Sequence, residues 1–294
     1  MNGYAGVRAA VLGATGFIGR WVAQRLSEQG AEVCAIGRAE AEDLSAVYRR
    51  LRPSLTFNLA GYGVDPAQRD ETTAYRVNAE LPRVLAEAAA AWRDAAWPGQ
   101  HLIHVGSGAE YGKAGGDFRE DGPALPTTLY GTSKWRGTEA VAERSQALGL
   151  RAMTARLFTV YGPGEQRGRL LPALLEARRT GRALDLSSGT QRRDFTYVED
   201  VAEGLLKLGL CAQPAYATVN LATGRLTSVR NFAETAARIL GIPPENLNFG
   251  AVPASGHEME HEPVSLDRLQ RLLGWTPPTT VSAGVRRTLE ISLL

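Results

Sequence analysis

A short apolar stretch, Arg8-Ala9-Ala10-Val11-Leu12, runs straight into the glycine run GATGFIG at 13–19. The residues that follow, to Gln29, place Ile18, Val22 and Leu26 on one face at helical spacing, with Trp21 beside them. A strand, a glycine turn and a helix in that order restrict the chain to an α/β fold whose first crossover closes tightly. Gly13 permits the tight turn, Gly16 lets backbone approach a pyrophosphate, and Gly19 lets the helix pack close to the strand. The helix N-terminus attracts an anion. Thr15, Phe17 and Ile18 complete the turn and are taken with the glycines as dinucleotide-facing. The pattern is GxxGxxG rather than GxGxxG, and taken alone it also reads as a glycine-rich turn without a ligand.

The second strand, 32–36, ends in Gly37-Arg38, with no acid at 36–38. An acid there suits a ribose 2′-hydroxyl, whereas an arginine suits a 2′-phosphate. Arg38 therefore favours NADP(H) over NAD(H), the plainer reading being a solvated arginine. Asp43 and Leu44 follow after a short connection and are placed near the adenine.

Tyr130 and Lys134 lie four apart in LYGTSKWRGTEA, on one face of a helix spanning 128–148. A free phenol has a pKa of about 10 and exchanges protons poorly at neutral pH. A nearby ammonium stabilises the phenolate and makes the exchange feasible. Ser107, in HLIHVGSGAEYG, follows the strand 101–106 at its carboxyl end, where open α/β sheets bind ligands. It supplies a second hydroxyl for the same substrate oxygen.

With these pieces in order, the chain resembles the extended short-chain dehydrogenase/reductase (NAD-dependent epimerase/dehydratase) family, in its nucleotide-sugar branch. FNLAGYG at 57–63, Asn78 in YRVNAELPRVLAEA, RLFTVYGPG at 156–164, RRDFTYVEDVA at 192–202, VNLATG at 219–224 and LGW at 273–275 extend the likeness nearly end to end. The resemblance implies a catalytic set of Ser107, Tyr130 and Lys134. It implies a cofactor lined by Leu59, Ala60 and Gly61, with Asn78 near it and Phe158 and Val160 flanking the nicotinamide. Arg193 would reach a substrate phosphate, and Thr159 would stand beside the substrate. Apart from the resemblance, Arg167 and Arg169 precede an amphipathic helix and read either as a grip on an anionic substrate or as a solvated loop, and Tyr62 and Tyr111 read either as facing the sugar or as packed aromatics. The chain departs from family dehydratases, which carry an Asp-Glu pair after the catalytic hydroxyl residue; here Gly108 and Ala109 stand there. Thr159 replaces a common Asn, and 253–262 has no Arg.

A doubly wound, Rossmann-type parallel sheet is expected, with strands at 8–12, 32–36, 55–60, 101–106, 151–158 and 217–222. Helices are expected at 16–29, 40–51, 76–92, 128–148, 168–180, 199–209, 228–240 and 283–292. Residues 1–159 plus about 199–223 form the dinucleotide-binding domain. A smaller, discontinuous substrate domain takes about 160–198 plus 224–294. The helices 76–92 and 128–148 are expected to pair across a homodimer, as the resemblance implies, with Leu81, Val84 and Leu85 as candidates on one and Trp135 and Val141 on the other, either of which also reads as core within one chain.

A net charge of +2 and 22% charged residues give no footprint for nucleic acid. Cys34 and Cys211 read as buried reduced thiols. No metal site is expected, and His257 and His261 read as solvated loop histidines. No leader or long apolar span is evident, so a cytoplasmic protein is expected. These features point to NADPH-dependent reduction of a nucleotide-linked 4-keto-6-deoxy sugar at C4. The alternatives are a nucleotide-sugar 4-epimerase with tightly held NAD and a non-catalytic dinucleotide sensor.

Overall fold

The computed structural model describes residues 3–65, 67–212, 217–253 and 259–293. Six strands form one parallel sheet: β1 Arg8–Leu12, β2 Glu32–Ile36, β3 Leu55–Asn58, β4 Leu102–Ser107, β5 Ala152–Leu157 and, later in the chain, β9 Thr218–Leu221. The spatial order is β2-β1-β3-β4-β5-β9. Strands β3, β5 and β9 are buried at every residue, as a sheet covered on both faces requires. On one face lie α1 Phe17–Glu28 and α7 Val198–Gly209, whose Val22, Leu26, Val201 and Leu205 share a core with Phe57 and Ile103. On the other face, α2 Leu44–Leu51, α4 Leu81–Ala91 and α5 Leu129–Leu148 bury Leu44, Val47, Leu85, Ala89 and Val141 against Ala10 and Leu102. The chain winds in opposite directions from β1, so the crevice between the ends of β1 and β3 is the topological switch point.

The helix expected over 76–92 begins five residues earlier and has three pieces. α3 Glu71–Tyr75 passes through a π-helical turn at Arg76–Glu80 into α4. Such one-turn widenings gather at functional sites, and this one carries Asn78. Helix α5 meets that turn at contact distance: a Cβ on Gly137 would lie 2.0 Å from the Asn78 carbonyl oxygen. The first turn of α5 is capped by Thr128, whose hydroxyl accepts from the Gly131 N–H.

A second core is built from α6 Leu170–Thr180, α8 Val229–Leu240 and α10 Val281–Ser292 with short strands. β6 Thr159–Tyr161, β8 Arg192–Tyr197 and β10 Leu226–Ser228 form a three-stranded sheet, and β7 Leu184–Leu186 pairs with β11 Leu247–Phe249. Tyr161, Phe195, Tyr197 and Phe232 fill its centre. One segment of 224–294 departs from this body. Helix α9 Asp267–Leu273 turns back to the large sheet, where Leu269 is buried and Leu266, Leu272 and Trp275 pack beside it.

Candidate active site

The glycine turn is shaped as a cradle. Gly13 has φ +76°, and a Cβ there would lie 2.9 Å from the backbone carbon and oxygen of Leu59. A Cβ on Gly19 would fall 2.0 Å from the Gly13 carbonyl oxygen, so only glycine lets α1 start this close to β1. The Gly16 N–H donates to that oxygen at 2.9 Å. Thr15 and Gly16 are exposed, Gly16 is the N-cap of α1 without a side chain to cap it, and the first turn holds no acid. Its free N–H groups and positive dipole end therefore face the crevice, a fit for a pyrophosphate. Phe17 and Ile18 have their side chains packed on the sheet core.

Leu59-Ala60-Gly61 lies across the crevice from Gly13 and is braced from behind. Asn78, fully buried, accepts from Tyr62 N–H at 3.0 Å and donates to the Tyr62 carbonyl at 2.8 Å and to Ser133 Oγ at 2.9 Å. Asn78 thus holds the loop rather than opening onto the crevice. The Tyr62 hydroxyl accepts from the Asp70 N–H at 3.3 Å.

Of the two residues placed near the adenine, Asp43 is exposed and Leu44 is not. Asp43 caps α2, accepting from the Ala46 N–H at 2.9 Å, and Leu44 is 2% exposed in the core, because an apolar residue one place into a capped helix turns inward. Arg38 is exposed at the end of β2. Beside it stands a carboxylate from outside 36–38. Glu40 reaches back to accept from the Gly37 N–H at 2.9 Å and pairs with Arg50 at 3.3 Å.

Ser107 ends β4 and Tyr130 lies in the first turn of α5. The phenol ring rests on Gly63, where a Cβ would come within 3.3 Å of Tyr130 Cδ2. Burial pushes the Tyr130 phenol above its ordinary pKa, and the Glu110 charge pushes the same way, against the Ser107 hydroxyl and the Arg169 charge. Lys134 is 3% exposed and its Nζ donates to the Val105 carbonyl at 2.5 Å. Burial pulls its pKa down to about 8, with Glu110 opposing. The expected acidification of the phenol by Lys134 is thus not the leading effect: Ser107 and Arg169 supply the larger lowering influences.

Beneath Ser107 lies a buried ion pair. Glu110 is fully buried; its Oε1 accepts from the Ser107 N–H at 2.7 Å and its Oε2 from Arg156 Nε at 2.8 Å. The Arg156 guanidinium lies 4.5 Å from the centre of the Tyr111 ring, and the Tyr111 hydroxyl donates to Asn220 Oδ1 at 2.8 Å. Tyr111 is therefore not a cleft residue: it is 1% exposed, held between Arg156 and the Phe118 ring stacked on it at 4.6 Å. The sequence held a signal for this pair, since a lone arginine inside the apolar strand AMTARL requires a buried partner.

Phe158 is half-buried and packs so closely on Gly108 that a Cβ there would lie 2.7 Å from Phe158 Cδ1. Thr159 is half-buried beside it, whereas Val160, at 9% exposure, points into the sheet core, the opposite side of a short strand. Arg167 is exposed. Arg169 pairs with Glu165 at 3.4 Å, and burial raises that carboxyl to about 7. Arg193 is half-exposed on β8 opposite Thr227. His261 is not a solvated loop residue: its ring stacks on Phe118 at 4.3 Å, and burial lowers its pKa. His257 lies outside the described residues. Cys34 and Cys211 are free and only partly buried. Among the described residues no cluster suits a metal ion, and no helix is long and apolar enough to cross a membrane.

A model of the NAD dependent epimerase/dehydratase family matches residues 9–222. The chain is 33% identical, over 95% of its length and 93% of the relative's, to a dTDP-6-deoxy-L-talose 4-dehydrogenase (NAD(P)(+)) of Kitasatospora kifunensis. It is 31% identical to a dTDP-4-dehydrorhamnose reductase of Streptomyces griseus, covering 83% of this chain and 80% of that one. Among solved structures, MoeE5 in complex with UDP-glucose and NAD superposes with a TM-score of 0.84 at 25% identity, over 97% of this chain and 98% of that one.

Proposed function

Because the chain belongs to the NAD dependent epimerase/dehydratase family, we propose that it reduces the C4 ketone of a nucleotide-linked 4-keto-6-deoxy sugar. The observation that carries this reading is the pair of relatives whose names place redox chemistry at position 4 of a dTDP-linked sugar. The site supports it sterically. Phe158 leaves no room for a side chain at 108, and the one carboxylate of the Ser107 turn, Glu110, is turned inward onto Arg156. No acid is therefore offered where a dehydratase needs one.

The turn at 13–19 and the start of α1 hold the dinucleotide pyrophosphate. When bound, the reduced nicotinamide supplies the hydride. Ser107 Oγ and the Tyr130 phenol hydrogen-bond the ketone oxygen, and Tyr130 donates the proton that this oxygen takes up as it becomes a hydroxyl. Lys134 Nζ has two N–H donors beyond its bond to Val105, available to the cofactor ribose. Arg193 grips a substrate phosphate. Arg38 favours NADP(H), while the neighbouring Glu40 carboxylate weakens that preference. Helices α4 and α5 pair across a homodimer through Leu81, Val84 and Trp135, which are only partly buried, and not through Leu85 and Val141, which lie in the chain's own core; light scattering should give twice the chain mass.

The test is a stoichiometry. Incubation with a dTDP-4-keto-6-deoxy sugar should consume one NADPH per C4 alcohol formed. Interconversion of two C4 epimers with no net change in cofactor would replace this reading by the epimerase.

A further inference from the structure

The ion pair under the Ser107 turn has a geometry that the fold alone does not require. Charged residues are rarely buried completely, and a buried pair is at best neutral for stability compared with apolar residues of similar volume. Yet Glu110 is 0% exposed and Arg156 is 5% exposed. The chain also makes room for the carboxylate: a Cβ on Gly106 would lie 2.6 Å from Glu110 Oε1. One carboxylate oxygen is spent on the Ser107 N–H and the other on Arg156, which is itself clamped over Tyr111. Tyr111 is anchored in turn through Asn220, whose Nδ2 donates to the Phe118 carbonyl at 2.6 Å. The Ser107 backbone is thus tied to a rigid buried chain that ends in the aromatic cluster of Phe118 and His261.

We propose that Glu110, clamped by Arg156, is a positioning residue: through the Ser107 N–H it fixes the turn in which the Ser107 hydroxyl accepts from the Ala109 N–H, and it sets the charge beside Tyr130, whose helix meets this turn where a Cβ on Gly131 would lie 2.5 Å from the Ala109 carbonyl oxygen. This rests on the reductase reading, in which Tyr130 must begin as an acid. The groups facing the phenol come from three elements besides its own helix. Ser107 ends β4 with Glu110 on the turn after it, Arg169 stands at the start of α6, and the loop 59–63 presents only apolar residues, glycine and Tyr62. Lys134, one turn along α5, is directed to Val105. Glu110 is the negative charge in this set that acts on both Tyr130 and Lys134, raising both. Removing it lowers both. Reduction needs the protonated phenol, so activity, which is lost as pH rises through the phenol's pKa, is then lost at a lower pH.

Two variants test this. Glu110→Gln removes the charge but leaves Arg156 buried without a counter-charge. The double variant Glu110→Gln with Arg156→Met removes both charges and should fold even where the single one does not. Each is titrated by tyrosinate absorbance, subtracting the same protein carrying Tyr130→Phe, so that Tyr130 alone is read. The expected result is that Tyr130 ionises at lower pH in the single variant and shifts the same way but by less in the double one, where the opposing Arg156 charge is removed too. The alkaline limb of ketosugar reduction should move the same way. Glutamine keeps a carbonyl oxygen that accepts from the Ser107 N–H, so these two variants read the charge. A third variant, Glu110→Leu with Arg156→Met, removes the acceptor as well and should cut kcat by roughly ten- to a hundredfold with little change in KM. Arg156→Lys, which keeps the pair, should leave the titration where it was. A Tyr130 titration unchanged in a folded variant would overturn the proposal. The titration needs no substrate, so an enzyme that reduces no ketosugar would defeat the reductase reading and leave this test standing.

Discussion

Gly13 and Gly16 occupy one turn, but the structure assigns them different burdens, and alanine at each should separate fold from ligand. At Gly13 an alanine must adopt φ +76°, a left-handed conformation costing about 1–2 kcal/mol. Its Cβ would also lie 2.9 Å from the Leu59 backbone, and forcing in a methyl of this kind costs about 1–3 kcal/mol. Gly13→Ala should therefore destabilise the protein by about 2–5 kcal/mol. It should also weaken NADPH binding, because Leu59-Ala60-Gly61 is pushed out of place. Gly16 has φ −73°, is exposed, and a Cβ there would meet only the Gly13 carbonyl oxygen, at 3.1 Å. Gly16→Ala should leave stability within about 1 kcal/mol of the parent, in the range of ordinary surface changes. It should still cost at least about tenfold in NADPH affinity, since its methyl stands where the pyrophosphate approaches. Urea unfolding without cofactor and a fluorescence titration with NADPH give the two numbers. Equal stability for both variants would refute the assignment of Gly13, and undiminished affinity in Gly16→Ala would refute the cradle.

Other consequences follow from the same geometry. Tyr130→Phe keeps the ring against Gly63 and removes only the hydroxyl, so turnover should fall by about 10²–10⁴-fold with NADPH affinity nearly unchanged; turnover within twofold of the parent would exclude Tyr130 as the acid. Arg38→Ala should weaken NADPH by about ten- to a hundredfold and NADH little, as measured by paired titrations; equal losses would remove the 2′-phosphate role. Arg193→Ala should raise the KM for the nucleotide sugar far more than it lowers kcat, since a phosphate handle is held equally in ground and transition states. Arg192→Ala on the same strand is the control, and an unchanged KM in Arg193→Ala would detach this residue from the substrate.

The parallel sheet was readable because its strands are apolar runs separated by long amphipathic helices, and all six appear within a residue or two of their expected places. The short strands at Thr159–Tyr161, Leu184–Leu186 and Leu226–Ser228 were not, since three residues carry no periodicity and their pairing is set by tertiary contacts. Helix α9 was missed for a similar reason, being under two turns beside residues of mixed polarity. Of the site, the glycine turn and the Tyr130–Lys134 spacing were legible because they are local patterns. Arg156 carried a signal, as a lone arginine in an apolar strand, but its partner Glu110 and the anchoring Asn220 did not, because their pairing joins the turn after β4 to β5 and β9. Tyr111 and Leu44 show the opposite error. Proximity in sequence to a functional position says nothing of the direction in which a side chain points, and both turn into the core.

The reductase reading stands or falls on a single mass balance. Purified protein, NADPH and a dTDP-4-keto-6-deoxy sugar should yield one oxidised cofactor for each sugar that gains two mass units, or three with NADPH dideuterated at nicotinamide C4, the deuterium then lying at C4 of the sugar. Turnover of the sugar without net NADPH oxidation, or label appearing at any other carbon, would contradict it.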